Sequence, residues 1–148
     1  MKEGEELELI KTFRGRLEEL FRLCDDVARE EGAHLNLDTV VQNPFSAQMS
    51  SGWRKEKLPT ATLDRAGVEI KITPSEISSN FTSEYYGRVS VDRKLLGAGR
   101  LDSPSCWTAL NNSDDPLWYD GAVGNRKTPV DKRLIKSWLY HSGPRPIC

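Results

Sequence analysis

Residues 5–31 read EELELIKTFRGRLEELFRLCDDVAREE. Ile10, Phe13, Leu17, Leu20, Cys24 and Val27 recur there at alternating steps of three and four, the spacing that keeps side chains on one face of an α-helix. Leu7, Phe21 and Ala28 widen the stripe, and nearly every other position is charged. Gly15 interrupts the run at a cost of about 1 kcal/mol relative to alanine, and Gly32 is placed to stop it in a left-handed cap. Such a helix must cover its apolar seam, either on a sheet of its own domain or on the seam of a second copy. The seam is shorter than the roughly three to four heptads over which an independent coiled coil declares itself, so packing on the chain's own sheet is the first expectation.

Downstream the period changes from helical to alternating. Residues 34–42 predict a strand, followed by a polar loop over 43–57 that carries two large apolar groups, Phe45 and Trp53, as a lid or as anchors. Leu58–Leu63 predicts a second strand, with Pro59 pointing to an edge position. Asp64-Arg65-Ala66-Gly67 has the composition of a type I turn closed by a glycine bulge, and Val68–Thr73 returns with Val68, Ile70 and Ile72 on one face before Pro74 ends it. A third alternating stretch covers Tyr85–Val91, interrupted by Gly87. Asp92-Arg93-Lys94 then reads as a turn, and Leu95–Leu101 as a weak strand. Residues 102–128 read as a long loop, of the kind often used for function. Thr128-Pro129-Val130-Asp131 opens a second helix, with threonine as cap and proline at the first helical position.

The 148 residues suit one domain, 1–148, that folds without a metal or disulfide staple. Three widely spaced cysteines, Cys24, Cys106 and Cys148, give neither a disulfide framework nor a zinc knuckle, and Cys24 lies on the helix seam as a small hydrophobe. No apolar run reaches the roughly 20 residues of a membrane span, and the acidic start lacks a signal core, so a cytoplasmic protein with no membrane partner is expected. Charge is unevenly spread. Residues 1–33 carry ten acids and six bases, whereas residues 121–148 carry six bases and one acid. An acidic front and a basic tail attract one another, or leave the tail to face an anion.

The chemistry-bearing motifs are sparse. Glu69-Ile70-Lys71 in an apolar strand resembles the second half of the PD-(D/E)xK nuclease motif. That resemblance implies Glu69 as a divalent-metal ligand, Lys71 as the catalytic lysine, and Asp64 or Asp38 as the partner acid. No proline immediately precedes Asp64, and a solvent-facing Glu-x-Lys is common on half-buried strands. Asp114, Asp115 and Asp120 lack calcium-loop spacing, Gly97-Ala98-Gly99 lacks the third glycine of a dinucleotide fingerprint, and His34 and His141 stand apart from any nucleophile. Catalytic residues, metal and cofactor are therefore all expected to be absent.

What remains is aromatic and basic. Trp107, Trp118 and Tyr119 precede Arg126 and Lys127, with Lys132 and Arg133 on the second helix. Flat rings stack on planar ligands while cations hold phosphates; the competing reading makes Trp118 core and the lysines a solvated face. The expected fold is α+β. A long N-terminal amphipathic helix (1–32) precedes an antiparallel β-meander of four to five strands within 34–101, the loop 102–128, and a C-terminal helix (129–142). The expected function is a non-catalytic protein that captures an anionic small molecule or nucleic acid through these seven residues and self-associates as a homo-oligomer. The alternatives are the metal-dependent nuclease and a protein-interaction inhibitor or adaptor.

Overall fold

The computed structural model describes residues 3–45, 55–77, 85–95, 100–101, 106–111, 117–120 and 128–140. In chain order the elements are α1 (Glu3–Glu31), β1 (His34–Gln42), β2 (Glu56–Arg65), β3 (Val68–Ile77), β4 (Tyr85–Leu95), β5 (Arg100–Leu101), β6 (Cys106–Asn111), β7 (Trp118–Asp120), β8 (Thr128–Pro129) and α2 (Lys132–Trp138). The arrangement is α+β. Four long strands, β1 to β4, form the expected antiparallel meander, and short strands extend the sheet in the order β1-β2-β3-β4-β6-β7-β8, with β5 also on β4. No helix among the described residues is long and apolar enough to cross a membrane.

The seam of α1 lies on the chain's own sheet. Phe13, Leu17, Cys24 and Val27 are fully buried, together with Leu63, Ile70, Ile72, Val89 and Val91 from the strands. Burial pushes the Cys24 thiol up to about 12, as expected for a cysteine serving as a hydrophobe. The sheet is thus the cover for the seam from Ile10 to Val27, while Leu7 at its start stays exposed. The helix ends as its glycine predicts. Gly32 adopts φ +66°, and the Ala33 N–H reaches back to the Ala28 carbonyl at 2.9 Å, the long bond of a Schellman cap.

Three sheet side chains bind backbone carbonyls of α1. The Tyr86 hydroxyl donates to Leu9 O at 3.1 Å, the Trp118 indole N–H to Arg16 O at 3.0 Å, and Arg65 Nε to Glu31 O at 3.2 Å. Between the first two, Gly87 lets the helix come close. A Cβ there would sit 2.7 Å from the Phe13 ring and 3.1 Å from the Glu76 carbonyl. The glycine that interrupts the third alternating stretch is thus the seat of Phe13, whose ring also tilts against Trp118 at 6.2 Å.

Several expectations change. The first hairpin has a two-residue turn, Ala66-Gly67, with φ of 48° and 84°, flanked by the Arg65–Val68 pair. Two positive φ values in a two-residue loop are the signature of a type I′ turn, whose twist matches the strands, so the expected type I turn with a glycine bulge is not formed. Asp92-Arg93-Lys94 is not a turn: all three continue β4 and pair with Lys71, Ile70 and Glu69. Arg93 follows Val89 and Val91 on the inward face, and its charge disguised a buried position. The stretch 102–128 holds β6, β7 and the start of β8 rather than one loop. Thr128 and Pro129 belong to β8, and the cap of α2 is Asp131, whose carboxylate accepts the Leu134 N–H at 2.8 Å.

Pro59 does not mark an edge strand, since β2 lies between β1 and β3. Its effect is local. The β2–β3 ladder ends at Ala61–Ile72, and two residues further it would set Pro59 against Pro74, a pair with no N–H to contribute. The strands part there, and β3 continues along β4 to Ile77 through a bulge. The gap is filled by the end of β1. The Gln42 amide donates to Pro74 O at 3.1 Å and Ser75 O at 3.3 Å, the Ile77 N–H donates to Pro44 O, and buried Phe45 bridges to Ile77. Phe45 is therefore an anchor; Trp53 lies outside the described residues.

Gly87→Ala is expected to destabilise the protein by about 1–3 kcal/mol, the usual cost of overpacking a tight site. Urea denaturation followed by circular dichroism measures this; an unchanged midpoint would contradict the close approach of Phe13.

Candidate functional site

The described surface between the middle of α1 and the late strands forms a groove of about 370 Å³. Leu20 and Leu23 of α1 form one wall, and Leu117, Trp118, Pro129 and Val130 the other. Arg16, Glu19, Arg22 and Tyr119 complete the lining. β8 is held on β7 by the Tyr119–Pro129 and Asp120–Thr128 pairs, and the Val130 N–H donates to Trp118 O at 3.0 Å. These bonds keep Val130 opposite the helix. The groove combines an apolar floor with cations from α1. Arg16 is tied to Glu19 at 2.9 Å, one turn along the helix, while Arg22 is exposed.

Trp118 and Tyr119 lie together on β7. Successive strand residues alternate in direction, and Trp118 is the one that enters the interior, 8% exposed, with its indole on the Arg16 carbonyl. Asp120 is buried with it and accepts from the Thr108 hydroxyl at 3.5 Å. Trp107 is in β6 with Ser90 as register partner, and its side chain lies outside the described residues, as do Arg126, Lys127, Asp114, Asp115, His141 and Cys148. Arg133 is exposed at the start of α2, beside a separate shallow groove with Asp131 and Ser137. Among the described residues, the seven sequence-predicted positions are therefore brought together only in part: Trp118 and Tyr119 at the groove, Lys132 and Arg133 on α2.

Lys132 is drawn away from solvent anions by an internal one. Its ammonium bonds Glu30 Oε1 at 3.0 Å, Lys136 binds the other oxygen of Glu30, and Lys136 also lies 4.0 Å from Glu31. The Tyr140 hydroxyl donates to Glu31, Arg65 stacks on the Tyr140 ring at 4.5 Å, and buried Arg93 donates to the Tyr140 carbonyl. The acidic end of α1 and the basic α2 attract one another within the chain, one of the two outcomes the charge pattern allows. Lys136 and then Lys132 hold the Glu30 carboxyl below its ordinary value of 4.5, and Glu30 raises the Lys136 ammonium above 10.5.

The nuclease-like residues occupy the sheet face away from α1. Glu69 lies between Asp64 and Lys94, and Lys71 between Thr62 and Asp92. Asp38 pairs with Thr60 on the far side of β2. Each residue of the motif thus has an opposite charge as its β4 neighbour, an arrangement that stabilises a solvated sheet face. Among the described residues no group of three or more His, Cys, Asp or Glu side chains is placed to hold a metal ion.

Sequence reasoning missed Arg16 and Arg22. In the sequence they are two charged positions among many off the helix seam; only the late strands, folding back across 102 residues to bond Arg16, reveal the groove they border. No protein-family model matches the chain, and no curated protein or solved structure matches it either.

The clasp between α1 and α2 has a pH window. A lowered Glu30 pKa contributes stability above the unfolded value of 4.5 that is lost as pH falls through the folded value; a raised Lys136 pKa contributes stability below 10.5 that is lost as pH rises through the folded value. The thermal midpoint of Glu30→Gln should lie below that of the parent between those limits, and the difference should close as the solution is acidified below 4.5. A difference that persists unchanged in acid would show that the ion pairs do not hold α2.

Proposed function

We propose that this chain is a non-catalytic binding protein that captures an anionic, nucleotide-like ligand and self-associates. The observation that carries the reading is the groove between α1 and the Leu117–Val130 side, of about 370 Å³. Its size falls in the range of small-molecule sites, roughly 300–1,000 Å³, which are mostly apolar with a few placed polar groups. An apolar floor beside Trp118 and Tyr119 suits a flat or hydrophobic moiety, and Arg16 and Arg22 suit its anionic end. Arg126 and Lys127 directly precede Thr128, the first residue of β8, and Trp107 and Arg133 belong to the same late part of the chain. In this reading Arg126, Lys127 and Arg133, and not the Lys132 and Lys136 that clasp Glu30, supply long-range attraction and the groove supplies the contact.

The nuclease alternative takes its support from the register that sets Asp64 directly opposite Glu69. Lys94 and Asp92, which face Glu69 and Lys71 from β4, favour the structural role.

ATP and a single-stranded DNA oligonucleotide are suitable probes, titrated against the full chain at several salt concentrations. At least one should bind, and the double variant Arg126→Ala, Lys127→Ala should bind it more weakly with a shallower salt dependence. Equal affinity for parent and variant, or no binding of either probe, would contradict the reading. Cleavage of the oligonucleotide in magnesium that Glu69→Ala abolishes would replace it with the nuclease.

A further inference from the structure

β1 ends the sheet. It pairs with β2 in unbroken register from His34–Asp64 to Gln42–Glu56, and no strand among the described residues pairs with its other side. A long flat edge is a template for another strand, and proteins blunt such edges with lysine, proline or a bulge. The sequence HLNLDTVVQ has no lysine or proline, and its pairing with β2 has no bulge. It exposes two large apolar side chains instead, Leu37 at 58% and Val41 at 62%. They are four residues apart and so share one face, with Thr39 between them.

The backbone is oriented for pairing. The Thr39 N–H is held by its neighbour's Asp38 Oδ1 at 2.8 Å, while its partner across the ladder, Pro59, has no N–H to offer. Thr39 therefore opens away from β2, and by strand alternation Leu35, Leu37 and Val41 open the same way. We infer that two copies of the chain join antiparallel along β1, with Thr39 on the two-fold axis, so that the sheet runs from one copy into the other. This rests on the self-association part of the function proposed above, and not on ligand capture.

The register follows from side-chain chemistry. With the axis at Thr39, Leu37 of each copy meets Val41 of the other, Thr39 meets Thr39, and Asp38 meets Val40. Moving the axis one residue towards the N-terminus would set Asp38 against Asp38, two like charges directly opposed, and moving it one residue the other way would set Leu37 against polar Asn43 and lose the Leu37–Val41 pairs. His34 and Asp38 are the only titratable side chains of β1, so the chosen register sets no like charges directly opposite one another. The joint also closes onto apolar surface. Leu37 forms the lip of a groove of about 420 Å³ between β1 and α1, whose apolar lining is Phe21, Leu35 and Pro59 and whose helix side carries Glu18, Arg22 and Asp25, and Val41 of the second copy lands beside that lip. On pairing, the Thr39 N–H passes from Asp38 to the Thr39 carbonyl of the second copy. The strip is narrow beside the roughly 800 Å² per partner of a standard interface, so the dimer is reversible and concentration-dependent.

Sedimentation velocity of the full chain over a concentration series reads this directly. The parent should pass from monomer to dimer as concentration rises. The double variant Leu37→Lys, Val41→Lys should remain monomeric with an unchanged circular dichroism spectrum and thermal midpoint, since both positions are exposed. Under oxidation, Thr39→Cys should give several-fold more covalent dimer than Asp38→Cys, because directly opposed hydrogen-bonded residues lie about 5.5 Å apart, within disulfide reach; the parent gives the background from its own cysteines. A parent that stays monomeric to its solubility limit overturns both this inference and self-association. A dimer that survives in the double lysine variant, or Thr39→Cys cross-linking no better than Asp38→Cys, overturns the β1 joint and leaves self-association to another surface.

Discussion

The ring of Phe13 rests on bare backbone at Gly87, and the rest of the fold is arranged around that contact. The close approach draws α1 down onto β4, buries its seam, and brings helix carbonyls within reach of Tyr86 and Trp118. A helix carbonyl has a second lone pair beyond the one used within the helix, so these side chains add bonds without breaking the helical ladder. The indole of Trp118 then fixes β7 against the helix, and β7 positions β8 and the groove wall. One small residue in a strand thereby determines where the candidate ligand surface lies.

The parts of the fold written in periodic apolar patterns were legible. The helix seam, β1, the β2–β3 hairpin and the Gly32 cap follow from spacing and from glycine alone. The parts that depend on partners distant in sequence were not. Arg93 occupies an inward position because α2 returns to offer the Tyr140 carbonyl, and a charged residue at a buried position breaks the alternation by which a strand is recognised. Strands β7 and β8 are three and two residues long, too short to show a period at all. The proline pair shows how a local signal misleads: Pro59 pointed to an edge strand, and only the facing Pro74, seen in register, places the break in the ladder within the sheet.

The candidate site was legible in composition and less so in geometry. The aromatic and basic character of the late chain is evident from residue types, yet Trp118 is committed to the Arg16 carbonyl and Lys132 to Glu30. Charge asymmetry along a sequence does not say whether opposite charges meet each other or an outside partner; here Glu30 and Glu31 at the end of α1 satisfy α2. Arg22 is exposed and borders the groove beside Glu19. Three features of the surface are therefore distinct: a clasp that closes the chain, a groove with an arginine rim, and an exposed strand edge.

α1 and the sheet form one cooperative unit, joined through Phe13, Gly87 and the carbonyl bonds of Tyr86 and Trp118. Native-state hydrogen exchange tests it most directly, by comparing opening free energies of amides in the middle of α1 with those of β3 and β4. Leu17, Leu20 and Cys24 should exchange with the same opening free energy as Ile70 and Val91, equal to that of global unfolding. Exchange of the α1 amides through a local opening of clearly lower free energy, with β3 and β4 still protected, would contradict it.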